Sequence, residues 1–374
     1  MTARIEAWLP EPASRELEAG LARLARTEDV VQVAVMPDAH VSEDVCVGTV
    51  TATRRRILPA AVGGDIGCGM ATVRFDGHAE LLADGALAAR VLTGLRRVIP
   101  PVLRASAEAR LPEELSRLPL SAPLLEAHRR RDGRLEFATL GRGNHFLELQ
   151  RDEEGALWVL VHSGSRAMGP AIRHHHEARA ARDPAGLAYL EADGEGGLAY
   201  LADVAFAAEY ARLSRGRMLE AAAALVEETL GIARDPPSFL DCDHNHVRRE
   251  AHLGELFWVH RKGAMRAGPG DRGVVPGSMG SPSFHVEGRG LDAALWSSAH
   301  GAGRVMSRSE ARRRISTRAL EREASGVWFD HRMADRLREE APSAYKEIGA
   351  VMRAQRDLVK VVRRLSPVLS YKAS

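Results

Sequence analysis

Cysteine and histidine side chains sit in short glycine-rich motifs spread along most of the chain. Gly64-Asp65-Ile66-Gly67-Cys68-Gly69-Met70 sets a carboxylate and a thiol three residues apart. Asn144-His145-Phe146, His162-Ser163-Gly164-Ser165-Arg166, His244-Asn245 and His300-Gly301-Ala302-Gly303-Arg304 follow. One Asp, one Cys and several His supply the mixed O, S and N donors of a transition-metal site. A structural zinc module would cluster its ligands locally; these donors meet only if the fold brings them together. The two loosest stretches, 181–198 and 231–238, have candidate ligands on both sides, so neither reads as a linker. One domain over residues 1–374 is expected, although 374 residues by length alone admit one large domain or two.

The net charge is +2, so no global basic field exists, which disfavours non-specific nucleic-acid binding and leaves room for a local basic groove. The only lysines are Lys262, Lys346, Lys360 and Lys372, and the other basic residues are Arg, suited to bidentate phosphate recognition. Arg54–Arg56, His128–Arg131 and Arg312–Arg314 each read as solvated surface. No apolar run approaches the ~20 residues of a membrane span. Met1–Pro10 has no signal-peptide core, and three cysteines do not make a disulfide framework. A cytoplasmic protein is expected.

Apolar spacing predicts a helix over 13–27, with Leu17, Leu21 and Leu24 on one face. Strands are predicted at Val30–Val35, ended by Met36-Pro37-Asp38, and at Val45–Ala52 and Ala71–Phe75. Helices are predicted at Glu80–Ile99 and Leu103–Ser116. Phe146–Gln150 and Leu157–His162 read as paired strands around a turn at Asp152–Gly155. Arg173–Arg182 and Tyr200–Leu230 read as helices, and 253–290 as strands and tight loops. Arg308–Glu321 and Ala334–Arg363 read as helices. Strands and helices without regular alternation argue for α+β rather than a doubly wound sheet.

Glycines at 63, 64, 67 and 69 let the backbone turn sharply and approach a ligand closely. Like charges disfavour a thiolate beside a carboxylate, and a bound cation reverses that. Alone, Cys68 would be a small buried hydrophobe, and His145, His162 or His244 a satisfied core or surface histidine. With Asp65 they form a donor set that suits Mn, Fe, Co or Zn rather than Ca. His174-His175-His176 looks like a ligand tract, but on a helix successive residues face different directions. His300 among small residues, followed by Arg304, reads as a phosphate site with room for a nucleophile. Pro276-Gly277-Ser278-Met279-Gly280 and Ser283 offer backbone and hydroxyl donors, and Arg261-Lys262-Gly263 adds cations. The sum favours nucleotidyl or phosphoryl transfer.

The motifs GDIGCGM, GRGNHFLEL, VHSGSR, DHN, HRKGA, PGSMG and HGAGR, in this order, resemble those of the RtcB family of GTP-dependent RNA ligases. The resemblance runs from Met36-Pro37-Asp38 to Tyr371-Lys372. It implies a single α+β domain with mixed β-sheets flanked by helices and a deep active-site cleft. Asp65, Cys68, His145, His162 and His244 match ligands of two Mn2+ ions, with Cys68 bridging. His300 matches a histidine guanylylated by GTP. Asn144, Asn245, Ser278, Ser283, Gly301, Gly303 and Arg304 match phosphate and ribose contacts. Glu148 and Lys372 match guanine readers, and Arg166 an RNA-phosphate contact. The implied reaction joins an RNA 3′-phosphate or 2′,3′-cyclic phosphate end to a 5′-hydroxyl end in RNA repair or tRNA splicing. It passes through a GMP-histidine and a guanylylated RNA 3′ end. The resemblance also implies RNA as partner and, in some members, an archease-like activator; a monomer is expected. Ser42 and Asp44 stand where the family has glycines, and Ser214 where it commonly has Asn before Arg215. Two rival readings are a metal-dependent RNA phosphoesterase or cyclic phosphodiesterase without ligation, and a guanine-nucleotide- or RNA-binding module without chemistry.

Overall fold

Two β-sheets hold most of the strand residues, and the chain steps from one to the other across a single residue, His244. Arg234–Asp243 lies in the larger sheet and Asn245–His252 in the smaller. The computed structural model describes residues 2–106, 108–252 and 254–373. Met1, Ala107, Leu253 and Ser374 lie outside the described residues, as do the parts of the sequence expectations that fall on them.

The larger sheet has seven antiparallel strands, ordered Arg234–Asp243, Gly69–His78, Ala156–Ser163, Phe146–Asp152, Val359–Tyr371, Ser283–Gly288 and Arg272–Val275. The smaller has five, ordered Arg4–Ala7, Val30–His40, Val47–Thr53, Glu255–Lys262 and Asn245–His252, and its first pair is parallel. A two-stranded ribbon pairs Ala264–Arg266 with Ser297–Ala299. Helices pack on the sheets, and the fold is α+β. The helix Glu195–Leu230, about 54 Å long by its 36 residues, crosses the larger sheet. It buries Tyr200, Phe206 and Tyr210 with Phe75, Val159 and Val161. Gly231, in the left-handed region at φ 69°, ends this helix. Gly94 of the helix Gly85–Val98 lets it approach Leu225 closely; a Cβ there would sit 2.6 Å from Leu225 Cδ1.

The predicted first helix is present as Arg15–Arg26, with Ser14 accepting from Leu17 N and all three leucines buried. The predicted hairpin is present too. Elsewhere the structure corrects the sequence. Val30–His40 runs through Met36-Pro37-Asp38 instead of stopping there, and its pairing shifts register between Val35 and His40, around the proline that has no N–H to give. Arg173–Arg182 is not one helix. The helix is Met168–Glu177, and Ala181–Arg182 pairs as a strand with Ala188–Tyr189. The loose stretch 231–238 opens an edge strand, with Pro236 and Pro237 inside a register shift. Within 103–116 the only helical residues described belong to Glu113–Arg117. Arg308–Glu321 is two helices, Arg308–Arg314 and Thr317–Glu323, each capped by a serine hydroxyl.

The largest departure is at the C-terminal end. Instead of a helix over Ala334–Arg363, short helical turns lead to Ile348–Ala354, and Val359–Tyr371 is a 13-residue strand. Val359, Val361 and Val362 suit a pleated surface, and the strand has partners on both sides. Its end carries Lys372 into the central cleft. The basic runs are largely paired: Arg54 with Glu255, Arg56 with Glu28 and Glu191, Arg129 with Glu126, Arg312 with Glu339. Among the described residues no helix is long and apolar enough to cross a membrane.

Candidate metal centre and nucleotide cleft

Strand register gathers the donors. Cys242, Met70, His162 and Phe146 lie in one row across four adjacent strands of the larger sheet. Cys68 lies two residues before Met70, His244 two after Cys242, and His145 one before Phe146, so all reach the same end of the sheet. Cys68 Sγ lies 3.3 Å from His162 Nε2 and 3.6 Å from His145 Nε2. His162 Nε2 lies 3.4 Å from His244 Nε2, and His145 Nε2 lies 2.8 Å from Asp65 Oδ2. Among the described residues, Cys68–His162–His244 and Asp65–Cys68–His145 are the two groups that could hold a metal ion, and they share the thiol.

The surroundings prepare these groups as donors. His162 Nδ1 donates to the Asn144 carbonyl at 3.1 Å, which leaves the Nε2 lone pair facing the cluster. Burial pushes the His162 and His244 rings well below the usual histidine range, so both are neutral at pH 7. Burial also opposes ionising Asp65, yet the adjacent His145 ring holds its carboxyl down at about 2. Burial, with the Asp65 charge beside it, pushes the Cys68 thiol well up. A carboxylate, a thiol that ionises only beside a cation, and neutral imidazoles fit a divalent transition metal. Gly164 is required here, because a Cβ on it would overlap the Asp65 carboxylate.

One guanidinium ties the ligand-bearing segments together. Arg215, fully buried on the long helix, donates from Nη1 to the carbonyls of Gly67 at 2.7 Å and Ser163 at 3.1 Å. Its Nε and Nη2 form a fork on Asp241 at 2.8 and 2.7 Å. Those three partners precede Cys68, follow His162 and stand three residues before His244. Asn245 adds a second tie: its side chain donates to Asp65 O at 2.9 Å and accepts from Gly263 N at 2.7 Å.

The donors face a cleft of about 880 Å³. His300 stands in it with its ring 4.6 Å from the His244 ring. His300 Nδ1 lies 2.6 Å from Asp38 Oδ2, which also accepts the His300 backbone N–H at 3.2 Å. Gly303, at φ 74°, lets this loop pass against Asp38, where a Cβ would strike the backbone. Gly301, Arg304, Asn144 and Ser278 also line the cleft. Arg304 is held by Met306 O, Glu339 O and Tyr345 OH. Glu148 and Lys372 also line the cleft, with Lys372 Nζ 5.4 Å over the Phe146 ring, which itself lies 5.3 Å from the His162 ring. Burial raises the Glu148 carboxyl to about 7 against the opposing pull of Gln150 and Lys372.

Four predicted residues are not part of the cleft wall: Cys68 and His145 lie just behind it, against His162 and Asp65, and Ser283 and Arg166 stand further apart. Ser283 is buried, and its Oγ accepts from Gln150 Nε2 at 2.9 Å; the same amide donates to Glu148 Oε2 at 2.9 Å. Ser283 thus braces Glu148 from behind. Arg166 is set back beside His145, its Nη2 3.5 Å from Glu136 Oε2. The tract His174–His176 lies elsewhere, with His176 Nε2 2.6 Å from the buried Asp203 carboxylate. Asp44, in a glycine's expected place, has φ 57° and pairs with Arg173 at 2.6 Å. Ser214, in place of Asn, accepts from Ala138 N.

Sequence reasoning assigned no role to Asp38, Arg215, Glu340 or Tyr345. Asp38 had a signal in its Met-Pro-Asp motif. Arg215 looks like any surface arginine of an Ala-rich helix. Glu340 and Tyr345 fall in a segment read as continuous helix.

A family model described as tRNA-splicing ligase RtcB matches residues 20–122 and 113–373. The chain is 36% identical over 380 residues to RNA-splicing ligase RtcB of Escherichia coli (strain K12), covering 91% of this chain and 90% of the relative. It is 29% identical over 412 residues to RNA-splicing ligase RtcB of Mycobacterium tuberculosis, with 89% and 95% covered. It is 28% identical over 425 residues to tRNA-splicing ligase RtcB of Archaeoglobus fulgidus, with 90% and 87% covered.

Replacing Arg215 by Met leaves the Gly67 and Ser163 carbonyls without their donor and the partly exposed Asp241 carboxylate without its partner. Urea unfolding is expected to show a loss of about 2–3 kcal/mol relative to wild type.

Proposed function

The chain belongs to the RtcB family of RNA-splicing ligases, and on that premise we propose that it is a GTP-dependent RNA ligase. In this reading it joins RNA 3′-phosphate or 2′,3′-cyclic phosphate ends to 5′-hydroxyl ends, in RNA repair or tRNA splicing. The observation that carries the reading is His300: an imidazole in the cleft, beside the donor cluster, with Asp38 at Nδ1.

Asp65, Cys68, His145, His162 and His244 would hold two Mn2+ ions, which when bound neutralise charge on phosphoryl oxygens. Asp38 Oδ2 accepts the His300 backbone N–H and sits against the Nδ1 side of the ring, leaving Nε2 as the nucleophile. His300 Nε2 attacks the α-phosphorus of GTP; a P–N bond forms, the bond to the bridging oxygen breaks, and pyrophosphate leaves. A 2′,3′-cyclic phosphate is first opened by water to the 3′-phosphate; a 3′-phosphate oxygen then attacks the phosphorus of the GMP-histidine, a P–O bond forms, and the P–N bond breaks to restore the free imidazole. The 5′-hydroxyl attacks that activated end, and GMP departs with the bonding pair. Small residues at 301–303 admit the phosphates; Arg304, each of whose nitrogens already donates within the protein, supplies fixed positive charge beside them, and the Ser278 hydroxyl, paired with Ser281, lies in the same wall. Glu148 accepts from guanine N1–H and the 2-amino group, and Lys372 donates to the 6-oxo oxygen. A phosphoesterase would have no use for a base-reading end or for a positioned His300.

Incubation with α-labelled GTP and Mn2+, followed by a denaturing gel, tests the reaction. The label is expected to stay on the wild-type protein, to be released by acid, and to be absent from H300A. Bound GTP without label would overturn the autonomous reaction and point to an archease-like activator or to the phosphoesterase.

Co2+ titration is expected to give a thiolate-to-metal absorption band that C68S lacks. Because the Cys68 thiol is raised and must lose its proton to bind, affinity increases with pH, and calorimetry in buffers of different ionisation enthalpy reports proton release.

Glu148 must be ionised to accept two N–H groups, and its carboxyl titrates at about 7. Ionisation rises with pH, so GMP affinity is expected to increase about tenfold from about pH 6 to about pH 8. E148Q should flatten that slope in equilibrium dialysis.

A further inference from the structure

Lys372 stands just past the strand Val359–Tyr371. A lysine ammonium rides on a flexible four-carbon stem and donates hydrogen bonds without accepting any. Whether it discriminates between purines therefore depends on whether it is held. Guanine offers an acceptor oxygen at position 6, and adenine offers an amino group there. A fixed ammonium meets the first as a partner and the second as a donor facing a donor. A free ammonium swings aside and tolerates both.

Here the ammonium is held. Glu340, 4% exposed, lines the same end of the cleft. Its Oε2 lies 2.5 Å from Lys372 Nζ and also accepts from Tyr345 OH at 2.8 Å. Tyr345 OH in turn accepts from Arg304 Nη1 at 2.8 Å, so the carboxylate is braced on the arginine that follows the His300 loop. The other oxygen, Oε1, has no hydrogen-bond partner among the described residues and lies 3.9 Å from Arg304 Nη1. Glu148 stands across the pocket with its own brace through Gln150 and Ser283. The base-reading end thus has two carboxylates with separate supports, one facing the base and one gripping the lysine.

We propose that Glu340 is a specificity-determining positioning residue: by fixing Lys372 Nζ it makes the site prefer a 6-oxo purine over a 6-amino purine. This rests on the guanine-reading end described under the proposed function. Glu340 does not read the 2-amino group, which falls to Glu148. Its influence is therefore confined to one edge of the base.

The test is KM and kcat for transfer of α-labelled GTP, ITP and ATP to the full-length protein. E340Q keeps the shape of the side chain and removes its charge. The ratio of kcat/KM for GTP over ATP is expected to fall by about tenfold or more, the size of a lost charged hydrogen bond. The change should lie in KM, with the GTP-to-ITP ratio and kcat close to wild type. K372M should lose the same discrimination, and adding E340Q to K372M should change it no further. Equal losses for all three nucleotides, or a lowered kcat, would make Glu340 a purely structural residue and overturn the proposal. If E340Q does not fold, Y345F carries the test: removing one of the two donors on Oε2 should move the GTP-to-ATP ratio the same way by a smaller factor, and an unchanged ratio overturns the proposal. A wild-type protein that takes GTP and ATP equally would remove the base-reading end itself and this inference with it. A wild type that prefers GTP, with E340Q unchanged, overturns Glu340 alone.

Discussion

The buried guanidinium of Arg215 is the tie on which the donor cluster of the cleft depends. Its four donor bonds reach two carbonyls and one carboxylate on three segments far apart in sequence. Each segment carries a metal-donor candidate within three residues. A backbone carbonyl accepts without ionising, so the arginine fixes Gly67 and Ser163 without adding a charge to the site. Asp241 balances the arginine in a two-bond fork, the geometry in which a buried pair comes closest to offsetting its desolvation. The long helix that carries Arg215 is anchored by its apolar face against the larger sheet, so the tie is made to a rigid body.

The second constraint is the single-residue step at His244. Because Asp243 closes a strand of one sheet and Asn245 opens a strand of the other, His244 has little freedom. Its N–H is held by Cys68 O and its carbonyl by Ala264 N. The two sheets therefore meet where the donors meet. The smaller sheet brings Asp38 to the cleft, and the larger brings Glu148 and Lys372. His300 follows directly on the ribbon strand Ser297–Ala299, which places it between them.

The donor set could be read in the sequence because each donor sits in a glycine-rich motif, and glycine there answers to a contact: Gly164 against the Asp65 carboxylate, Gly303 against the Asp38 backbone. The hairpin and the first amphipathic helix were legible because their periods are clean. What escaped has a physical reason in each case. Val359–Tyr371 follows an apolar, Arg-rich stretch with helical spacing, and only its pairing with Phe146–Asp152 and Ser283–Gly288 makes it a strand. Ser283 looked like a cleft donor, but its strand turns it inward to Gln150. Arg215 and Glu340 act through tertiary contacts alone, and no local pattern marks them.

Net charge of +2 leaves no long-range field to gather polyanions, so cations that meet phosphate must work at contact distance. The cleft cations are held rather than loose. Lys262 Nζ donates to Val45 O at 2.6 Å, and Lys346 Nζ donates to Pro37 O and Ala39 O at 2.9 and 2.7 Å. The two lysines grip opposite ends of the segment 37–45, in which Ser42 and Asp44 replace expected glycines. A non-glycine residue in the left-handed region costs about 1–2 kcal/mol. Here the Asp44–Arg173 pair and the Lys262 bond to Val45 O act against that strain. Lys262, Lys346 and Arg173 thus tie the segment at three points, so its path along the cleft is set by contacts made from other elements.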